Sequence, residues 1–202
     1  MNKSIPLIKI CGIQHPEDAA FAAKIGADLI GVVFAEGSKR KVSKEAAKMI
    51  AQATVKEGSQ PVGIFTTPYI DEVIQTCLET QMAFAQIYHP FPESALQRLR
   101  EVCPIIAAVK VEQGQPAPIA ASERFTLFDH SSPGSGTPFH WNAFTPPKTQ
   151  PWFLAGGLHP NNVKAAIVLL KPTGVDVSSG VEMHGVKNRE LIQRFIEEVK
   201  QT

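Results

Sequence analysis

The sequence predicts a small (β/α)8 (TIM) barrel, and three features carry that reading. Eight short apolar runs recur along the chain, they are continuous rather than alternating, and most of the spacers between them have the periodicity of a helix buried on one face. The runs start at residues 7, 29, 61, 84, 105, 125, 152 and 174, so their starts are 22, 32, 23, 21, 20, 27 and 22 residues apart. That is about one strand, one helix and two loops each time. Continuous apolar character suits strands covered on both faces, as in a parallel sheet. An open doubly wound sheet is the alternative, but even spacing with no G-x-G-x-x-G opening a helix counts against it.

The first run, "LIKIC" from 7, ends in a cysteine followed by Gly12. Pro16, Glu17 and Asp18 then suit a first helical turn, and Lys24 with Gly26 suits its close. "LIGVVF" from 29 runs into "AEGSKRKVS", where Ser43 can cap a second helix with Ala46, Ala47, Ile50 and Ala53 on one face. "PVGIF" from 61 leads to a third helix striped by Ile70, Val73, Ile74 and Cys77. "FAQI" from 84 leads to a fourth striped by Leu96, Leu99 and Cys103. After "IIAAV" from 105 and "FTLFD" from 125, the spacers "KVEQGQPAPIAASER" and "HSSPGSGTPFHWNAFTPPKTQP" are rich in Pro, Gly, Ser and Gln. They read as loops or degenerate helices, the economy expected of a barrel this small. "WFLAG" from 152 precedes a helix opened by Pro160 with Val163, Ala166, Ile167 and Leu170 inward. "GVDVS" from 174 precedes the last helix, capped by Asn188, with Leu191, Ile192, Phe195 and Val199 inward.

A length of 202 residues suits one domain, 1–202, large enough to bury a full core without disulfides or metals. Lys and Arg number 20 against 19 Asp and Glu, so no net field favours nucleic acid or a membrane surface, and any anion must be bound locally. No apolar run approaches the roughly 20 residues of a membrane span. The opening "MNKSIPLIKI" lacks the features of a signal peptide, which points to the cytoplasm. Cys11, Cys77 and Cys103 are odd in number and widely spaced, which suits a reducing compartment and offers no zinc spacing. The six histidines form no pair at metal-ligand spacing and read as surface or loop residues, so no metal is expected.

In such a barrel the chemistry lies at the C-terminal ends of the strands. Cys11 ends strand 1, where it is either a general base or one more buried small hydrophobe. As a base it needs its pKa lowered by positive charge, and Lys9 is the nearest candidate in sequence, unless Lys9 fills the barrel interior. Asp129 ends strand 6, as a proton donor raised by apolar surroundings or as a cap for the following loop. Gly156 and Gly157 after strand 7, and Ser178, Ser179 and Gly180 after strand 8, serve turns alone or, as the reading favoured by two such loops, bind phosphate, because glycines let backbone N–H groups approach an anion. The loops after strands 7 and 8 are where barrels commonly hold phosphate. Arg40, in a cationic run after strand 2, is either part of an ordinary solvated loop or a bidentate clamp for a carboxylate.

With these residues assembled, the chain resembles the phosphoribosylanthranilate isomerase family of tryptophan biosynthesis. "KICG" at 9–12, "GADLIGVVF" at 26–34, "SKRKVS" at 38–43, "VGIF" at 62–65, "LAGGL" at 154–158, "GVDVSSGVE" at 174–182 and "GVKN" at 185–188 match its motifs in order. The resemblance implies a (β/α)8 enzyme that needs no cofactor. It would convert N-(5-phosphoribosyl)anthranilate into 1-(2-carboxyphenylamino)-1-deoxyribulose 5-phosphate by an Amadori rearrangement. It further implies Cys11 as general base at C2, Asp129 as general acid on the ring oxygen, Arg40 on the anthranilate carboxylate, and Gly157 with Ser178 to Gly180 as the phosphate cradle. The expected partner is a small phosphosugar, with no nucleic acid and no membrane, and the expected assembly is a monomer or homodimer.

Three stretches depart from the family pattern. The usual Gln-Leu-His-Gly after strand 4 reads "QIYHP", Gln86 to Pro90; Thr66 replaces an asparagine near strand 3; and "GSGTPFHW" carries Thr137 and His140 where a lysine and an aspartate are usual. They keep open a non-catalytic phosphosugar-binding barrel and an isomerase of a related aminoaldose phosphate.

Overall fold

The computed structural model describes residues 5–112, 115–116, 123–130, 141, 144–145, 147 and 150–202. Its barrel is made of β1 (Leu7–Cys11), β2 (Leu29–Val33), β3 (Gln60–Phe65), β4 (Phe84–Ile87), β5 (Ile105–Glu112), β6 (Phe125–His130), β7 (Trp152–Leu154) and β8 (Gly174–Val177). Each strand pairs in parallel with the next in chain order. β8 returns to pair with β1, closing the barrel the sequence predicted.

Helices α1 (Pro16–Lys24), α2 (Lys44–Lys56), α3 (Ile70–Thr80), α4 (Glu93–Arg100), α5 (Val163–Leu170) and α6 (Arg189–Lys200) cover the outside. Their local causes are those read from sequence. Pro16 opens α1 with Glu17 and Asp18 in its first turn. Ser43 Oγ accepts from the Ala46 N–H at 3.2 Å, and Asn188 Oδ1 accepts from the Leu191 N–H at 2.9 Å.

Three boundaries differ from expectation. α5 starts at Val163 rather than Pro160, because the Asn162 side chain accepts from the His159 N–H at 2.8 Å and donates to Gly157 O at 2.9 Å, holding the preceding residues in a turn. α4 stops at Arg100; Cys103 is buried but lies beyond it, next to Pro104, which disfavours helix in the residue before it. β5 runs on to Glu112 and pairs antiparallel with Gln115–Pro116, so the spacer read as a loop begins as strand. The rest of that spacer up to Glu123, and most of the spacer after β6, fall outside the described residues, as do Thr137 and His140.

Alternation along the strands sorts the core into layers. On β1, Ile8 and Ile10 face the helices with Ile30, Val32, Val175 and Val177 from the neighbouring strands. Leu7 faces inward with Leu29, Val62, Phe125, Leu127 and Phe153, which fill one part of the barrel interior. Cys11 shares that inward parity, packed at the mouth with Val33, Ile64 and Tyr88. Between these inward layers lies Lys9, fully buried.

Candidate active site

The inward parity of β1, β4, β5, β6 and β8, continued past the last strand residues, brings Cys11, Tyr88, Lys110, Asp129, Asp176 and Ser178 to one cavity of about 480 Å³ at the C-terminal ends of the strands. Arg40 reaches it from the loop after β2. Cys11, Asp129, Arg40 and Ser178, four of the residues singled out from sequence, therefore meet. Gly156, Gly157, Ser179 and Gly180 are not among the residues lining the cavity and belong to the loops that follow β7 and β8.

Below the cavity, Lys9 Nζ donates to Asp176 Oδ1 at 2.8 Å, a pair that only adjacency of β1 and β8 makes possible. Burial by itself would lower the Lys9 pKa, but Asp176 and Cys11 outweigh it, and Lys9 is held above its ordinary value as a cation. For Cys11 the balance runs the other way. Burial pushes the thiol up; Lys9 and Lys187 pull it down, Asp176 opposes them, and the net shift is upward. Lys9 thus acts on Cys11 in the direction expected from sequence, but its charge is shared with Asp176. The resting residue is a neutral thiol.

Arg40 is held from behind. Its Nε and Nη2 donate to Glu182 Oε1 and Oε2 at 2.6 and 2.8 Å, the bidentate pairing that a planar guanidinium favours. Lys187 Nζ donates to the same Glu182 Oε1 at 2.6 Å and to Ser178 O at 2.9 Å. Burial would raise the Glu182 pKa, yet the two cations hold it below its ordinary value. Arg40 also needs Gly12: a Cβ there would stand 2.5 Å from Arg40 Cδ, and the φ of 77° is in the left-handed region. The glycine after "KIC" thus both turns the chain and lets the arginine pass.

The two glycine-bearing loops are built against each other. A Cβ on Gly180 would lie 1.9 Å from the Leu158 carbonyl oxygen, so the 3-10 turn Ser179–Val181 packs backbone to backbone on the loop after β7. Gly156 and Gly157 have φ of 84° and 68°.

Sequence reading missed several residues here. Tyr88 was seen only as a departure, yet its hydroxyl donates to Asp129 Oδ2 at 3.2 Å. His89, in the loop after β4, lines the cavity with its ring edge-on to Phe91 at 5.1 Å between centroids, and Thr66 lines it too. Two-residue parity continued from Gln86 and Ala108 would have pointed to Tyr88 and Lys110. Glu182 and Lys187 face each other across a hairpin of Glu182–Met183 and Val186–Lys187, with positive φ at His184 and Gly185. An acid and a base flanking "MHGV" is the hairpin signal that could have found them.

A closed parallel barrel with an ionisable cavity at the C-terminal strand ends defines the class of (β/α)8 barrel enzymes. Comparison with known proteins narrows the class. A family model described as N-(5'phosphoribosyl)anthranilate (PRA) isomerase matches residues 8–198. N-(5'-phosphoribosyl)anthranilate isomerases of Chlamydia caviae and Chlamydia felis are 42% and 40% identical, over 96% of this chain and 97% and 96% of theirs. The phosphoribosyl anthranilate isomerase crystal structure from Thermus thermophilus superposes with a TM-score of 0.87 at 30% identity, covering 96% of this chain and 98% of that one. A crystal structure of such an isomerase with reduced 1-(o-carboxyphenylamino)-1-deoxyribulose 5-phosphate gives 0.77 at 29%, covering 98% and 100%. The chain belongs to the N-(5'-phosphoribosyl)anthranilate isomerase family.

Proposed function

We infer that this chain is a phosphoribosylanthranilate isomerase of tryptophan biosynthesis. It opens the furanose of N-(5-phosphoribosyl)anthranilate and moves the carbonyl equivalent from C1 to C2. The observation that carries the roles is that Cys11 and Asp129, on strands three places apart round the ring, line one cavity with Arg40 at its rim. A volume of about 480 Å³ suits an aromatic ring and a pentose, with Ser178 at the side from which the loops after β7 and β8 continue.

Asp129 donates its proton to the ring oxygen as the C1–O bond breaks, leaving an iminium between C1 and the anthranilate nitrogen. Cys11, as thiolate, takes the proton from C2, and the electron pair of that C–H bond neutralises the iminium to give an enolamine. Protonation at C1 and loss of the hydroxyl proton at C2 complete the aminoketose. One acid and one base suffice. Because Cys11 rests as a thiol, the thiolate form is a minor one that Lys9 and Lys187 favour.

Arg40 takes the anthranilate carboxylate. With Nε and one N–H of Nη2 on Glu182, it keeps donors free to face the cavity. The phosphate sits on the backbone of Gly156, Gly157, Ser178, Ser179 and Gly180, and the close approach of Gly180 to Leu158 holds the two loops together before substrate arrives. The substrate is then held at both ends with its sugar between acid and base. The chain works as one barrel, as a monomer or homodimer, which sedimentation velocity distinguishes.

The test is loss of fluorescence of freshly generated phosphoribosylanthranilate with purified protein, beside Cys11→Ala. Rapid decay in the wild type, abolished in the variant, is expected. Binding without turnover would instead favour the non-catalytic phosphosugar-binding barrel.

A further inference from the structure

Tyr88 follows Gln86 by two residues at the end of β4, so both side chains point into the barrel, and together they form a hydrogen-bonded chain that reaches Asp129. Gln86 Nε2 donates to the Tyr88 oxygen at 3.2 Å, and the Tyr88 hydroxyl donates to Asp129 Oδ2 at 3.2 Å. Gln86 is 1% exposed, and its Oε1 is buried with no hydrogen-bond partner among the described residues. A buried unmet acceptor is uncommon enough to need a reason.

A phenol has a single proton. With the amide N–H on its oxygen, that proton points at Asp129, which suits an ionised carboxylate. The opposite polarity is equally complete. A half-turn of the amide presents Oε1 to Tyr88, whose proton then goes to Gln86 while its oxygen accepts from a protonated Asp129. The acceptor left unmet in one arrangement is the one the other arrangement uses. A lysine or arginine in place of Tyr88 would serve only the carboxylate; a phenol backed by a neutral amide serves both states. Tyr88 itself stays protonated, because burial, with the Asp129 charge added to it, pushes its pKa well above the ordinary value.

We propose that Tyr88, backed by Gln86, is a positioning residue for Asp129, and that their hydrogen bonds reverse direction as Asp129 gives up and regains its proton. This rests on Asp129 being the general acid, as read above. The bond from Tyr88 is strongest to the carboxylate, the form that appears as the proton leaves, so it favours proton donation over the ground state.

The experiment is the pH dependence of kcat and KM for wild type, Tyr88→Phe, Gln86→Leu and Asp129→Asn, each checked by thermal melting. Tyr88→Phe keeps the ring and should lower kcat about tenfold or more with KM within about twofold. The working form pairs the Cys11 thiolate with a protonated Asp129, so the Asp129 pKa governs the acid limb, on which activity rises with pH. That limb should move to higher pH, because the carboxylate has lost one donor. Gln86→Leu should move that limb to lower pH, since the protonated arrangement then leaves a buried phenolic O–H unmet. The other ionisable groups lining the cavity, Cys11, Arg40, His89, Lys110 and Asp176, are unchanged in both variants.

Unchanged kcat in Tyr88→Phe, or a raised KM alone, overturns the proposal, as do shifts of the same sign in the two variants. If Tyr88→Phe does not fold, the sign of the Gln86→Leu shift decides by itself. Full turnover in Asp129→Asn would remove the general-acid reading and this inference with it. An inactive Asp129→Asn beside a fully active Tyr88→Phe would remove this inference alone.

Discussion

The two flanks of the cavity are held by different physics. Around β1 and β8 the polar groups are ions joined to ions: Lys9 to Asp176, and Arg40 and Lys187 to Glu182. Around β4 and β6 a neutral amide and a phenol lead to the Asp129 carboxylate, with the amide oxygen unmet among the described residues, and the one cation lining that side among them is Lys110 of β5. Buried ion pairs tolerate little rearrangement, because parting them leaves an uncompensated charge. Neutral hydrogen bonds can reverse at small cost. The ionic flank therefore suits fixed positioning of the substrate's two anionic ends, and the neutral flank suits a group that must change protonation.

The comparison can be broken most decisively at Cys11, which packs on the ionic flank. Cys11→Ala should reduce kcat by about a hundredfold to ten-thousandfold in the fluorescence assay, the range typical of a positioned general base. The same residue reports its surroundings without mutation. Because burial holds the thiol above its ordinary value, iodoacetamide should inactivate slowly at neutral pH and faster as the pH rises past the usual thiol range. Fast alkylation at pH 7 would mean that Lys9 and Lys187 dominate.

Stability separates the flanks next. Lys9→Met leaves Asp176 charged and unpaired in the interior, and should cost about 3–5 kcal/mol in urea unfolding. Gln86→Leu removes an amide that is only half satisfied and should cost about 1 kcal/mol or less. Equal losses would erase the distinction between the two flanks.

Acid titration sharpens it further. The folded-state pKa of Glu182 lies below its unfolded value, so its contribution is fully present above the ordinary carboxylate range and is lost as pH falls through the depressed value. The stability gap between wild type and Glu182→Gln should therefore narrow on acidification below about pH 4. The smallest effect lies away from the cavity. Ser43→Ala removes the cap of α2 and should cost about 1 kcal/mol with kcat unchanged.

Much of this molecule was legible before its fold. The eight barrel strands and α1 to α6 could be read because burial on both faces, or on one helical stripe, writes a local pattern. Cys11 and Asp129 could be found because each closes an apolar run. Arg40 could be found, but not Glu182 behind it, because "SSGVE" reads first as a phosphate signal. Tyr88 was visible as an oddity, with no sign of what it touches.

Sequence by itself thus determined the strands, the inward stripes of the helices, and the residues at the strand tips, since these depend on neighbours a few positions away. Tertiary structure decided the partnerships, because ring closure sets β8 beside β1 and leads the chain back past its start. Lys9 and Asp176 are 167 residues apart, Arg40 and Glu182 142, and Tyr88 and Asp129 41. An ionisable side chain takes its charge state from whatever it is buried against, and across such separations only the closed barrel specifies that neighbour.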